Sequence, residues 1–178
     1  MQNSIKIKDR GTVLEISYED MIKYHGRFHI GGVAMAFKAM ELGFKNLLPD
    51  GQIPDRKKVA FSSGLGEAAT GVPDAVEMTT RARSRGKLVI NPDLGKDIEA
   101  AVAPNGSKFY FELEYDGKRI GLALKEGLVP EEFITLSRKA INKALDQEGS
   151  ERLQEVKEEM AASLMSHKAE DLFNCIYY

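Results

Sequence analysis

Two of the chain's three histidines stand four residues apart, in the segment Tyr24-His25-Gly26-Arg27-Phe28-His29. Imidazole is the commonest transition-metal ligand, and two rings at that spacing reach one ion where the backbone is helical or folds back on itself. Zinc or another divalent transition metal is the first chemistry the segment suggests, with His25 and His29 as ligands. Gly26 interrupts the helical spacing between the rings, however, and no nearby carboxylate or cysteine completes a ligand set. A bland reading carries equal weight: one histidine closes a helix and the other packs or bonds locally.

Other residues suggest binding. Gly31-Gly32 precedes a long apolar helix and leaves amides at its positive end, where an anion or carboxylate fits. Asp74 follows Pro73 in the first turn of another helix; it reads as a capping carboxylate or as the group that orients a histidine, with Thr79 and Thr80 facing the same cleft. Arg81, Arg83, Arg85 and Lys87 form a basic run suited to phosphate, although a solvated loop is the more frequent explanation. The stretch from Gly64 to Gly71 lacks the lysine spacing of a phosphate loop and reads as a packing turn.

The elements that must position these residues follow from periodicity. Ser4 to Lys8 and Thr12 to Ile16 alternate around Asp9-Arg10-Gly11, a hairpin pattern. Ser17 with Asp20 gives a capping-box start for a short helix over Tyr18 to Tyr24, stopped at Gly26. Val33, Phe37, Met40, Phe44 and Leu47 predict a long helix from Gly32 to Pro49, its stripe buried in the core or against a second copy. Strands are expected at Lys57–Ser62, Lys87–Asn91 and Ile98–Ala103, with a helix from Pro73 to Arg81. The clearest hairpin runs from Phe109 to Leu124 around Asp116-Gly117. Pro130 opens a helix to about Leu145, Gly149 ends it, and Ser150 caps another to about Ser166; Glu155, Lys157, Glu158 and Glu159 there read as a solvated face. Strands in the middle and helices towards both ends, without β-α-β alternation, predict an α+β fold: a mainly antiparallel sheet against a long helix.

The 178 residues fit one domain, 1–178, with a full core. A net charge of −2 gives no general field for nucleic acid. Cys175, the single cysteine, excludes an internal disulfide and suits a reducing cytoplasm. The amino terminus has no apolar run, and no stretch reaches the roughly 18 apolar residues of a membrane span, so no membrane partner is expected.

Two of these segments together resemble the core domain of the FmdE-like family, whose namesake is a component of formylmethanofuran dehydrogenase. Tyr24-His25-Gly26-Arg27-Phe28-His29-Ile30-Gly31 aligns with that family's His-Gly-His-x-Cys-Pro-Gly pattern at the start of a long helix. Asp74-Ala75-Val76-Glu77-Met78-Thr79-Thr80-Arg81-Ala82-Arg83, running without a gap to Asp93-Leu94-Gly95-Lys96, is similar to its second pattern, DAIQxxTGCTxGKGNLxxxDxGK. Glu170-Asp171-Leu172-Phe173 resembles the segment following the family core. In this register His29 stands where the family has its first cysteine, Arg27 replaces its second histidine and Ala82 another cysteine, and no zinc-finger extension follows. The resemblance implies a pocket built from His25, Gly26, Gly31, Asp74 and Thr80, without a thiolate-rich metal site. Two expectations follow, neither of which selects a substrate or establishes catalysis. In one, His25 and His29 hold a divalent metal beside a small-molecule ligand bound by Gly26, Gly31, Asp74 and Thr80. In the other, the core has lost its metal and serves as an accessory protein; a homodimer is the expected assembly.

Overall fold

Alternation from Ser4 builds an antiparallel hairpin, β1 (Ser4–Asp9) and β2 (Thr12–Ser17), turned by Arg10 and Gly11 at positive φ. The computed structural model describes residues 3–178; Met1 and Gln2, the start of the segment read for a leader, lie outside them. Ile5 and Ile7 point into the core. Ser17 then caps α1 (Tyr18–His25): its hydroxyl accepts from the Asp20 amide at 3.0 Å, and Asp20 Oδ2 accepts from the Ser17 amide at 3.0 Å. Gly26 ends the helix at φ 86°, a conformation open to glycine and strained for other residues.

The helix α2 (Ile30–Leu47) begins two residues before the expected Gly32 and is the axis of the fold. It packs against α3 (Gly71–Thr80) and against α5 (Gln147–Ser166), and its remaining face lies on a sheet. Phe37 and Met40 are fully buried and Phe44 nearly so, all in one core cluster. The stripe is thus spent within the monomer and offers no surface to a second copy.

The five-stranded sheet has the order β4 (Leu88–Ile90), β3 (Val59–Ser63), β5 (Tyr110–Tyr115), β6 (Lys118–Leu124), β7 (Phe173–Tyr177). Only β3 and β4 run parallel, so the fold is α+β with a mainly antiparallel sheet. Phe111, Leu113, Ile120 and Leu122 are fully buried in the cluster that contains the α2 stripe. On the opposite face Tyr110 and Ala123 pack with Ala100, Leu94 and Ile98.

Three sequence expectations are corrected here. Ile98–Ala103 is not a strand: it forms a single bridge, Val102 to Lys108, because the chain turns back at Pro104-Asn105-Gly106 and Ile98 and Ala100 instead cover the sheet. The helix opened by Pro130, α4 (Glu131–Ile141), stops short of Leu145. Gly149 does not end it; the Gly149 amide donates to Asp146 Oδ1 at 2.7 Å, which makes Asp146 the cap of α5. After α5 a short turn, α6 (Ala169–Leu172), leads into β7, an edge strand with no strong sequence signal. No described helix is long and apolar enough to cross a membrane.

Candidate functional site

The carboxyl end of α1 meets the first turn of α3 at His25. Its Nδ1–H donates to Asp74 Oδ2 at 2.8 Å, and its Nε2 accepts the backbone N–H of His29 at 3.3 Å. The imidazole is almost wholly enclosed, with 5% of its side chain exposed, and Arg83 reaches the other Asp74 oxygen at 3.4 Å. The ring is a strut: it spans α3 and the residue preceding α2, and it satisfies an amide that the helix itself leaves unpaired. Asp74 does orient a histidine, across 49 residues of sequence.

This geometry does not fit a metal centre. Both nitrogens of His25 already have partners, and the His29 ring lies nearly parallel to it, 6.1 Å away between centroids. His29 Nδ1 is 2.7 Å from Thr70 Oγ1. Among the described residues no group of three or more histidine, cysteine or acidic side chains converges as a ligand set. Dialysis against a chelator is therefore expected to leave the melting temperature unchanged, and His25→Ala to lower it equally with and without zinc. A fall on chelation that zinc reverses would restore the metal reading.

The other expected binding residues separate. Thr79 and Thr80 do not face the histidines; both are fully buried, and their hydroxyls donate to the carbonyls of Ala75 and Val76 in their own helix. Gly31 is the point where α2 meets the Met160 side chain of α5, and Gly32 lies against the backbone of Gly71 and Val72, so the pair serves close packing. Gly26 faces open space and closes α1. The basic run disperses: Arg85 donates to the carbonyls of Lys57, Val59 and Thr80, Arg83 turns to Asp74, and Arg81 to Glu77.

His29 looks instead into a cavity of about 350 Å³ between α4, α5 and the turns around Leu65 and Asn105. Its walls are chiefly apolar, with Phe109, Phe133 and Leu153 among them, and a further 70 Å³ recess continues inward to Met35 and Met160. No residue of α4 is buried, so this helix covers the cavity without belonging to the core. Polar contacts hold it there: Arg152 of α5 pairs with Glu132 through two bonds of 2.8 and 2.9 Å, and Arg138 donates to the Pro104 carbonyl. A larger open cleft, about 630 Å³, lies beside the end of α2, with Lys6, Glu41, Lys45, Asp50 and Glu170 on its walls; Lys45 pairs with Glu170, and Glu41 with Lys38.

Lys157 lines both the cavity and its recess, and it corrects the solvated face expected of α5. It is 7% exposed, its Nζ stands 3.9 Å from the centroid of the Phe28 ring, and no described carboxylate lies within ion-pair distance. Burial lowers its pKa. His29 is pushed down to about 4, first by burial, then by the charge of Lys157, then by His25, so its ring is neutral at pH 7. Glu158, the next residue on α5, holds Arg27 through bonds of 2.9 and 2.5 Å, while Gln154 donates to the Arg27 carbonyl at 2.9 Å. The His29 segment is thereby fastened to α5. A sequence signal for Lys157 existed: it sits four residues after Leu153 and three before Met160, within the buried stripe. Compared with known proteins, the chain matches no family model and no curated protein.

Proposed function

We propose that this chain binds a small, largely apolar molecule carrying one polar head group, in the cavity between α4, α5 and the His29 segment. The observation that carries this reading is Lys157, a residue only 7% exposed and without a counter-ion among the described residues, at an apolar cavity it shares with a neutral imidazole. Apolar walls with a few convergent polar groups are the usual form of a small-molecule site, and 350 Å³ is at the small end of that range. In this reading the small-molecule ligand expected from the sequence moves from the histidine pair to Lys157.

Ala69 lines both the cavity and the recess and is only partly buried, so a larger side chain there fills the space without entering the core. The fluorophore 1-anilinonaphthalene-8-sulfonate, apolar with one anionic head, is expected to bind with one-to-one stoichiometry. Ala69→Trp should weaken it by about tenfold or more while far-ultraviolet circular dichroism stays unchanged. A folded Ala69→Trp protein that binds the fluorophore as before would exclude the cavity.

A further inference from the structure

We propose that Lys157 takes an aldehyde or ketone with an apolar body as a covalent imine, its amine closing on a carbonyl carbon seated beside Phe28 and His29. The inference rests on the ligand-binding reading of the cavity and names the chemistry of the ligand's polar head. A lysine on a solvated helix face is protonated and surrounded by water or by carboxylates. Lys157 is set differently: the residue is only 7% exposed, its Nζ faces the Phe28 ring at the cavity wall, and none of the described ion pairs on α5 includes it. Glu158, the adjacent carboxylate, is turned to Arg27. Desolvation with no compensating anion favours the free amine, the nucleophilic form, whereas the ring face of Phe28 favours the ammonium. Burial is the stronger of the two, since what a cation gains over a ring face is smaller than what an unpaired charge loses when it is withdrawn from water.

The reaction needs no co-reactant. The amine nitrogen attacks the carbonyl carbon, forming a C–N bond, and a proton passes from nitrogen to the former carbonyl oxygen to give a carbinolamine. The C–O bond then breaks with loss of water, leaving C=N between ligand and Lys157; hydrolysis is the reverse. His29 lines the same cavity with Nδ1 at 2.7 Å from the Thr70 hydroxyl, and in the tautomer that accepts from this hydroxyl its Nε2–H is a hydrogen-bond donor for the oxygen that leaves. Its neutrality also spares the amine a second cation.

The test is reductive trapping with a stated probe. The protein is treated at pH 7 with one equivalent of 3-phenylpropanal and sodium cyanoborohydride, then digested and mapped by mass spectrometry. Lys157 is expected to carry about tenfold more label than Lys23, whose side chain is 74% exposed. Ala69→Trp should abolish that preference with the lysine intact, and Lys157→Met should remove the site while leaving Lys23 labelled as before. Label spread evenly over exposed lysines while the fluorophore still binds would overturn the imine and leave the pocket reading standing. Even labelling with no fluorophore binding would overturn both.

Discussion

Replacing Gly71 by alanine is expected to destabilise the fold by about 3 kcal/mol or more, among the larger effects of a single methyl group. A Cβ at this position would overlap the His29 carbonyl oxygen and come within 3.0 Å of the Val33 nitrogen and 3.3 Å of the Gly32 carbonyl carbon. These are backbone atoms of the first turn of α2, already committed to helix bonds from Gly32 and Val33 to the His29 carbonyl, so they cannot swing aside as a side chain would. The helices α2 and α3 must move apart, and with them the two walls on which His29 and Thr70 stand. For a chain of this size the loss corresponds to a fall of roughly 6–12 °C in melting temperature. Urea titration followed by circular dichroism measures it. Gly66→Ala is the control, because its Cβ would come no nearer than 3.3 Å to a flexible Asn105 amide; equal losses from the two variants would show that the close approach of α2 and α3 is not the cause.

That approach joins residues far apart in sequence, and this is where the sequence ceases to be readable. Local signals were sufficient for the capping box at Ser17 and Asp20, for the hairpin turned at Asp116-Gly117 and for the stripe of α2, because each is decided within a few residues. The strand β7 was not legible, since Phe173 to Tyr177 has little alternation and becomes a strand by pairing with β6. Ile98 to Ala103 erred in the opposite direction: its apolar residues are needed to cover the sheet, not to extend it. At the site, His25 and His29 were conspicuous by spacing, and Asp74 was one of two readings of a carboxylate near a helix start. Nothing local could show that the first ring's nitrogens would be spent on Asp74 and the His29 amide. Lys157 illustrates a different limit. Leu153, Val156, Met160 and Leu164 mark the buried side of α5, and Lys157 lies on that side, yet lysine is so rarely buried unpaired that composition argued for solvent. The position in the periodic pattern was the better guide than the residue type.

Acidification below pH 6.5 should destabilise the protein through His29. The unfolded ring takes up its proton near pH 6.5, whereas the folded ring, buried beside Lys157, does so only near pH 4. Between these values the unfolded state binds more protons than the native state, so stability falls as pH falls; it is fully present above 6.5 and the loss is complete near 4. At full value that displacement would be worth about 3 kcal/mol. The ring is only partly buried, and solvent screening reduces the expected loss to roughly 1–2 kcal/mol. The interval from pH 6.5 to 5 lies above the titration of Glu132, Glu158 and Glu170, each held below the usual glutamate range by Arg152, Arg27 and Lys45 respectively. His29→Asn removes the titrating ring and keeps a residue suited to precede a helix. Urea midpoints of this variant should be nearly flat over the interval where those of the parent decline. If the two decline in parallel, the proton is taken up elsewhere, and the His29 ring is not held below its ordinary value by burial beside Lys157.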